Sequence, residues 1–358
     1  MASVLIMAGG TGGHVYPGLA VAQVLRRQGM DVVWMGTRHG LEATLVPPSG
    51  IPIEWISIRG LRGNGLLGWI ALPFRMAIAM TQALSVFFRR RPSVVLSMGG
   101  YVAGPGGLVA WLLRKPLVIH EANAVPGFTN RWLSLVASRV LCGFPGTFGV
   151  RSKVKHVGNP VREDIAHLES PGTRLQKHTT PMRLLMLGGS QGARALNTVM
   201  VDAWHQMSPE DRPDLWHQTG ARWQKDVQAA YGDAGNLVRV DAFIDNMAEA
   251  YAWADIVLCR AGAMTIAELA AVGVGSILVP LPTATDDHQT ANANYLADRD
   301  AAVVIAEADF TPEKLRQLVG ELKNNRHTLV NMAENARASS VPDADVAVAQ
   351  ICEELARA

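Results

Sequence analysis

Two segments of this chain read as a short apolar strand, then Gly-Gly-x-x-Gly, then a helix, and each opens one half of it. In the first, a strand over residues 4–8 runs into Gly9-Gly10-Thr11-Gly12-Gly13-His14 and a helix over 16–28, with Pro17 in its first turn. In the second, a strand over 183–187 runs into Gly188-Gly189-Ser190-Gln191-Gly192 and a helix over 193–205. Glycines let a backbone come close to a ligand and aim N–H groups at it. The helix N-terminus adds partial positive charge, so phosphate or a developing oxyanion suits such a place. A third glycine-rich loop, from Gly99 to Gly107, follows a strand over 94–98. Three such loops in one chain point to a ligand held between two domains.

The rest of the pattern agrees. Further strands are expected over 31–35, 117–119 and 139–141 in the first half, and over 237–241, 256–259 and 276–279 in the second. Helices are expected between them, including 264–272 and 291–298. Strands alternating with helices make parallel sheets covered on both faces, so the fold class is α/β. A length of 358 residues suits two domains. The boundary is expected near 158–163, giving domains over 1–162 and 163–341, with 169–181 as a polar linker or loop. The last helix, after Pro342, is expected to pack back on the first domain over 342–358.

Net charge is only +2 but unevenly placed. Residues 55–162 hold a large excess of Lys and Arg, and Glu121 is their one acid. One half therefore meets anions: nucleic acid, an anionic membrane surface or a phosphorylated substrate. Nucleic acid is disfavoured, because the aromatics fall in apolar runs rather than among the basic residues. Residues 66–88 are long enough to span a bilayer, yet Pro73, polar residues and a central Arg75 oppose spanning. Leu66, Leu67, Trp69, Ile70 and Phe74, with Arg75 and Arg89-Arg90-Arg91, suit a helical patch lying on an anionic membrane surface. The N-terminus has no basic region and too short an apolar run for a signal peptide, which implies a cytoplasmic protein. Cys142, Cys259 and Cys352 are scattered and read as buried free thiols.

Several chemistries are excluded. A dinucleotide site needs a third glycine and an acid ending the next strand; Val15 and Met35-Gly36-Thr37 supply neither. No P-loop Gly-Lys-Ser/Thr occurs. The one Asp-x-Asp, Asp343-Ala344-Asp345, reads as the start of the last helix, so no metal or other cofactor is expected.

The three loops, with His120-Glu121-Ala122-Asn123, His156-Val157-Gly158-Asn159-Pro160-Val161-Arg162, the segment from Arg260 to Glu268, and Asp286-Asp287-His288-Gln289, together resemble the MurG family over nearly the whole chain. One departure is Ala122, where the family usually carries Gln. The resemblance implies a GT-B fold, two Rossmann-like domains with parallel sheets facing across a cleft. It implies a hexosyltransferase of peptidoglycan and cell-wall synthesis, peripheral on the cytoplasmic side of the inner membrane. It implies UDP-GlcNAc as donor and undecaprenyl-diphospho-MurNAc-pentapeptide, lipid I, as the acceptor that becomes lipid II. A UDP-GlcNAc 2-epimerase of the same fold is the alternative, and it leaves the basic, apolar 66–91 region without a role.

By the same resemblance, Ser190, Ile244, Ala263, Met264, Thr265, Glu268 and Gln289 bind the donor from the second domain: phosphate at Ser190, uracil at Ile244, diphosphate at Ala263–Thr265, ribose at Glu268, sugar at Gln289. Asn123 and Arg162 are donor contacts from the first domain. Thr11, Gly12 and Gly13 are counted with the donor set at the reacting centre, and Gly10, Gly99, Gly100, Tyr101 and Gly104 form the acceptor-diphosphate loops. The α-linked donor and β-linked product imply inversion in one displacement through an oxocarbenium-like transition state. That step needs a base for the acceptor hydroxyl. His14 is one candidate, kept neutral by the helix N-terminus, and Glu121 is the other.

Overall fold

The computed structural model describes residues 2–58, 72–177, 181–189 and 192–357. The chain divides into two compact units, one of residues 1–162 with 341–358, the other of 163–340.

The first unit holds strands β1 (Ser3–Ala8), β2 (Asp31–Gly36), β3 (Ile53–Trp55), β4 (Val94–Gly99), β5 (Leu117–Glu121), β6 (Arg139–Cys142) and β7 (Val154–His156). They form one parallel sheet in the order β3-β2-β1-β4-β5-β6-β7. Its helices are α1 (Gly12–Arg27), α2 (Glu42–Leu45), α3 (Leu72–Arg90), α4 (Ala103–Leu112) and α5 (Phe128–Val136). The central strands are apolar throughout because both faces are covered. Val4, Ile6, Val94, Leu96 and Val118 pack towards α1, and Leu5, Met7, Val95 and Ile119 pack towards α4. The order reverses at β1–β4, and the loops after both strands emerge together at the C-terminal edge of the sheet, the usual ligand position in an open α/β sheet.

The second unit holds β8 (Arg183–Leu187), β9 (Asp214–Gln218), β10 (Val238–Asp241), β11 (Ile256–Cys259), β12 (Gly275–Leu278) and β13 (Ala302–Val304), parallel in the order β10-β9-β8-β11-β12-β13. Its helices are α6 (Glu163–Ala166), α7 (Pro171–Gln176), α8 (Arg194–Gln206), α9 (Gln224–Tyr231), α10 (Met247–Trp253), α11 (Ala263–Val272), α12 (His288–Ala297), α13 (Pro312–Asn324) and α14 (Arg326–Ala338). The chain then returns to the first unit as α15 (Ala344–Arg357), whose Val348, Ala349, Ile351 and Cys352 are buried in the core beside α1.

The structure differs from the sequence pattern in instructive places. Helix α1 starts at Gly12, not 16, so Pro17 lies in its second turn and leaves the Gly13 carbonyl without its helical donor. Residues 171–176, expected as loop, form α7. Arg174 of α7 is buried and donates to the carbonyls of Val272 (3.1 Å) and Gly273 (2.5 Å), capping the C-terminus of α11. Burial and nearby Arg337 pull the Arg174 guanidinium down to about 10. Strands β3, β7, β9 and β13 are short or carry polar residues, and the alternation of apolar runs does not mark them. The three cysteines are buried and free; burial pushes the Cys142 thiol up to about 11 and those of Cys259 and Cys352 up to about 12.

Candidate active site

In the first unit the loops after β1 and β4 interlock. Gly99 and Gly100 both have positive φ, +108° and +84°. A Cβ on Gly99 would lie 2.7 Å from His14 Cδ2, and one on Gly100 would overlap the carbonyl oxygen of Gly9. Only glycine allows this approach. Tyr101 is exposed, and its ring lies beside Gly10. Gly104 falls in the first turn of α4. Thr11 is the N-cap of α1; its side chain makes no capping bond, while its carbonyl accepts from the amides of His14 (3.1 Å) and Val15 (3.3 Å). Gly12 and Gly13 open the helix.

The His14 ring stands over this junction. Its Nδ1 lies 3.3 Å from the Gly9 carbonyl oxygen and 3.4 Å from Thr11 Oγ1. A carbonyl only accepts, so Nδ1 carries the proton and Nε2 keeps its lone pair. Burial holds the imidazole below its ordinary pKa, although Glu121, the Gly9 carbonyl and Glu42 pull it upwards. At neutral pH His14 is therefore a neutral ring with a free basic nitrogen.

Glu121, the other candidate base, ends β5 and is 4% exposed. Oε1 accepts from the Asn123 amide (3.0 Å) and Nδ2 (3.1 Å); Oε2 accepts from the Gly127 amide (3.0 Å) and Asn130 Nδ2 (2.8 Å). Four donors on two oxygens make it an organiser of the segment holding Asn123. The Arg162 guanidinium lies 5.2 Å from the Tyr16 ring centroid.

In the second unit, the loop after β8 carries Gly189 at φ +74°, while Ser190 lies outside the described residues. Ala263, Met264 and Thr265 form the first turn of α11, after Gly262, and no side chain caps that turn. A helix N-terminus of this kind is chemically suited to an anion. One turn on, Glu268 Oε2 accepts from the Tyr251 hydroxyl at 2.9 Å. Gln289 lies in the first turn of α12, where its Oε1 accepts from the Leu281 amide at 2.9 Å, and Asp286 and Asp287 before it adopt φ of +52° and +49°. Ile244 is buried, next to exposed Phe243.

Helices α3, α4 and α5 lie side by side on one face of the first sheet. They expose Phe74, Ile78 and Phe88 from α3, Trp111 and Leu112 from α4, and Phe128, Trp132 and Leu135 from α5. Arg75, Arg91, Arg114 and Arg131 are exposed around them. Arg89 and Arg90 pair with Glu54 at 2.5 and 2.7 Å, which offsets part of the basic excess. Leu66, Leu67, Trp69 and Ile70 lie outside the described residues. The α4 and α5 contributions were not legible as a patch, because they converge only through packing. Among the described residues, no helix is long and apolar enough to cross a membrane, and no group of three or more His, Cys, Asp or Glu could hold a metal ion.

Sequence reasoning also missed Glu42, a fully buried acid on the short helix α2 whose carboxylate accepts from the Gly10 amide at 2.9 Å. Its neighbours in sequence, Leu41 and Ala43, gave no sign of that contact.

The family model for the N-terminal domain of glycosyltransferase family 28 matches residues 4–142, and that for its C-terminal domain matches 183–348. The chain is 52% identical to the UDP-N-acetylglucosamine--N-acetylmuramyl-(pentapeptide) pyrophosphoryl-undecaprenol N-acetylglucosamine transferase of Nitrosococcus oceani, over 99% of this chain and 98% of that one. It resembles the crystal structure of Acinetobacter baumannii MurG at a TM-score of 0.85 and 42% identity, covering 99% of this chain and all of that one. A calicheamicin glycosyltransferase shares the fold alone, at a TM-score of 0.71 and 15% identity over 99% and 98% of the two chains. Two parallel-sheet units of the GT-B class, each opened by a glycine-rich loop, and end-to-end identity at this level place the chain in the MurG family of glycosyltransferases.

Proposed function

We propose that this chain transfers GlcNAc from UDP-GlcNAc to the 4-hydroxyl of undecaprenyl-diphospho-MurNAc-pentapeptide, turning lipid I into lipid II in peptidoglycan synthesis. The observation that carries this reading is the 52% identity, end to end, with an enzyme of that name.

The chemistry follows from the site. His14 Nε2 takes the proton of the acceptor hydroxyl. The hydroxyl oxygen attacks C1 of GlcNAc on the face opposite the nucleotide as the C1–O bond to UDP breaks, so the α-linked donor gives a β-linked product. Negative charge grows on the departing diphosphate and is stabilised by the amides of Ala263–Thr265, a reading supported by their place in an uncapped first helical turn. Glu268, held by Tyr251, takes the ribose hydroxyls, and Gln289 the sugar. Ile244 reads uracil through its backbone, and Ser190 meets phosphate. Thr11, Gly12, Gly13, Asn123 and Arg162 complete the donor contacts. Gly10, Gly99, Gly100, Tyr101 and Gly104 frame the acceptor diphosphate. Glu121 orders the segment around Asn123 rather than acting as base, since its oxygens already accept four hydrogen bonds.

The exposed apolar side chains of α3–α5 and the surrounding arginines support docking on an anionic membrane from the cytoplasmic side, where a lipid-linked acceptor would be met.

The test is transfer of radiolabelled GlcNAc from UDP-GlcNAc to lipid I, with a UDP-only control. Labelled lipid product establishes donor, acceptor and reaction together. Binding of UDP without transfer moves the function to another UDP-sugar reaction of this fold.

A further inference from the structure

We propose that Glu42 is a positioning residue: its buried carboxylate holds the Gly9–Gly10 backbone in the path that lets the Gly9 carbonyl tether the His14 ring. The inference rests on the assignment of His14 to the reacting centre.

Glu42 sits on the four-residue helix α2 and is fully buried. Among the described residues no cation pairs with it. Its oxygens accept instead from neutral donors: Oε2 from the Gly10 amide at 2.9 Å, Oε1 from the Thr37 amide at 2.8 Å and from Thr37 Oγ1 at 2.7 Å. A carboxylate is costly to bury unless its oxygens are filled, and a methionine or leucine would fill the same volume without that cost. The acid is there for the amides it gathers.

The surrounding backbone is shaped to receive it. A Cβ on Gly9 would lie 2.5 Å from Oε1, one on Gly36 would lie 2.7 Å from Cγ, and one on Gly40 would overlap the carboxylate. Three glycines, one after β1, one ending β2 and one in the loop after β2, thus surround one side chain. Gly9 is the point where the contacts meet. Glu42 packs against its Cα, Gly100 touches its carbonyl, and the same carbonyl accepts from His14 Nδ1 at 3.3 Å. Moving Gly9 turns the ring or frees it to carry its proton on Nε2, where it cannot act as a base. Among the described residues, Glu121 and His120 on β5 and Glu42 on α2 are the titratable groups that act electrostatically on the ring.

Glu42→Gln keeps the shape, but its one carbonyl oxygen can serve either Thr37 or the Gly10 amide and not both, and its NH2 accepts from neither. The expected result is a fall in kcat of about 10²-fold, the scale of an ångström-sized misplacement, with KM for UDP-GlcNAc unchanged within about twofold because Ile244, Glu268 and Gln289, assigned to uracil, ribose and sugar, lie in the other unit. In a His14→Ala background the same substitution costs little more, since both act through one group. The ¹⁵N shifts of the His14 imidazole, assigned by loss in His14→Gln, report Nδ1–H in the wild type and a mixture of tautomers in Glu42→Gln. Thr37→Val, which removes only the hydroxyl donor, gives a smaller change in the same direction and serves if Glu42→Gln does not fold. An unchanged His14 signature in the substituted protein, or an equal loss of kcat with and without His14, overturns the proposal. Should the wild type transfer no GlcNAc, the activity reading fails, and the imidazole signature still decides the role of Glu42.

Discussion

The backbone of Gly100 lies against the carbonyl oxygen of Gly9, so closely that any Cβ at residue 100 would overlap that oxygen. Two loops separated by ninety residues are thereby locked at the foot of the His14 ring. Gly100→Ala forces them apart and adds a side chain at φ +84°. The expected cost is about 2–3 kcal/mol of stability, read by chemical denaturation, together with loss of labelled lipid product under conditions where the variant remains folded.

His14→Ala is expected to lower kcat by about 10²–10⁴-fold, the range of a lost general base, and to leave KM for UDP-GlcNAc nearly unchanged. A variant with near-normal turnover would remove His14 from the role of base.

The pH profile follows from the same residue. A base works unprotonated, and burial sets the His14 pKa below 6.5. The acid limb of kcat/KM is therefore expected below pH 6.5, with rate rising as pH rises through it. Glu121 raises the His14 pKa, so Glu121→Gln moves the limb to still lower pH. A shift towards higher pH would contradict this electrostatic account.

Tyr251→Phe removes the donor to Glu268 Oε2. Loss of one such hydrogen bond, about 1 kcal/mol, raises KM for UDP-GlcNAc by about fivefold with kcat preserved. Isothermal titration with UDP checks the same loss without turnover.

In the core of the second unit, His217 lies between the Tyr231 hydroxyl (2.8 Å from Nδ1) and Asn197 Oδ1 (3.1 Å from Nε2), and burial lowers its pKa to about 3. The unfolded chain binds this proton near pH 6.5 and the folded one does not. The stabilisation is therefore complete above pH 6.5 and is lost as pH falls towards 3. Between pH 7 and pH 5 this one residue accounts for about 2 kcal/mol of lost stability. Urea denaturation at both pH values, on the wild type and on His217→Gln, should show that difference shrink in the variant.

The α/β class, the doubled architecture and the glycine-rich loops could be read from the sequence alone. Buried parallel strands such as 4–8 and 183–187 are continuous apolar runs, and a loop that must approach a ligand is written in consecutive glycines; both are local signals. His14 and Glu121 could be singled out in the same way, the first by its place after Gly13, the second as the one acid among fourteen basic residues over 55–162. Their relationship to the rest of the fold could not. That Gly9 would meet Glu42, that Gly99 would lie under His14, that Tyr251 would donate to Glu268, and that α3, α4 and α5 would bring Phe74, Trp111 and Trp132 to one face were all decided by strand order and helix packing. These contacts join residues far apart along the chain, and the energy that selects them comes from burying both faces of a sheet, which no short stretch of sequence contains. The sequence determined which groups were available for chemistry, and the tertiary structure decided which nitrogen of His14 stays free to use.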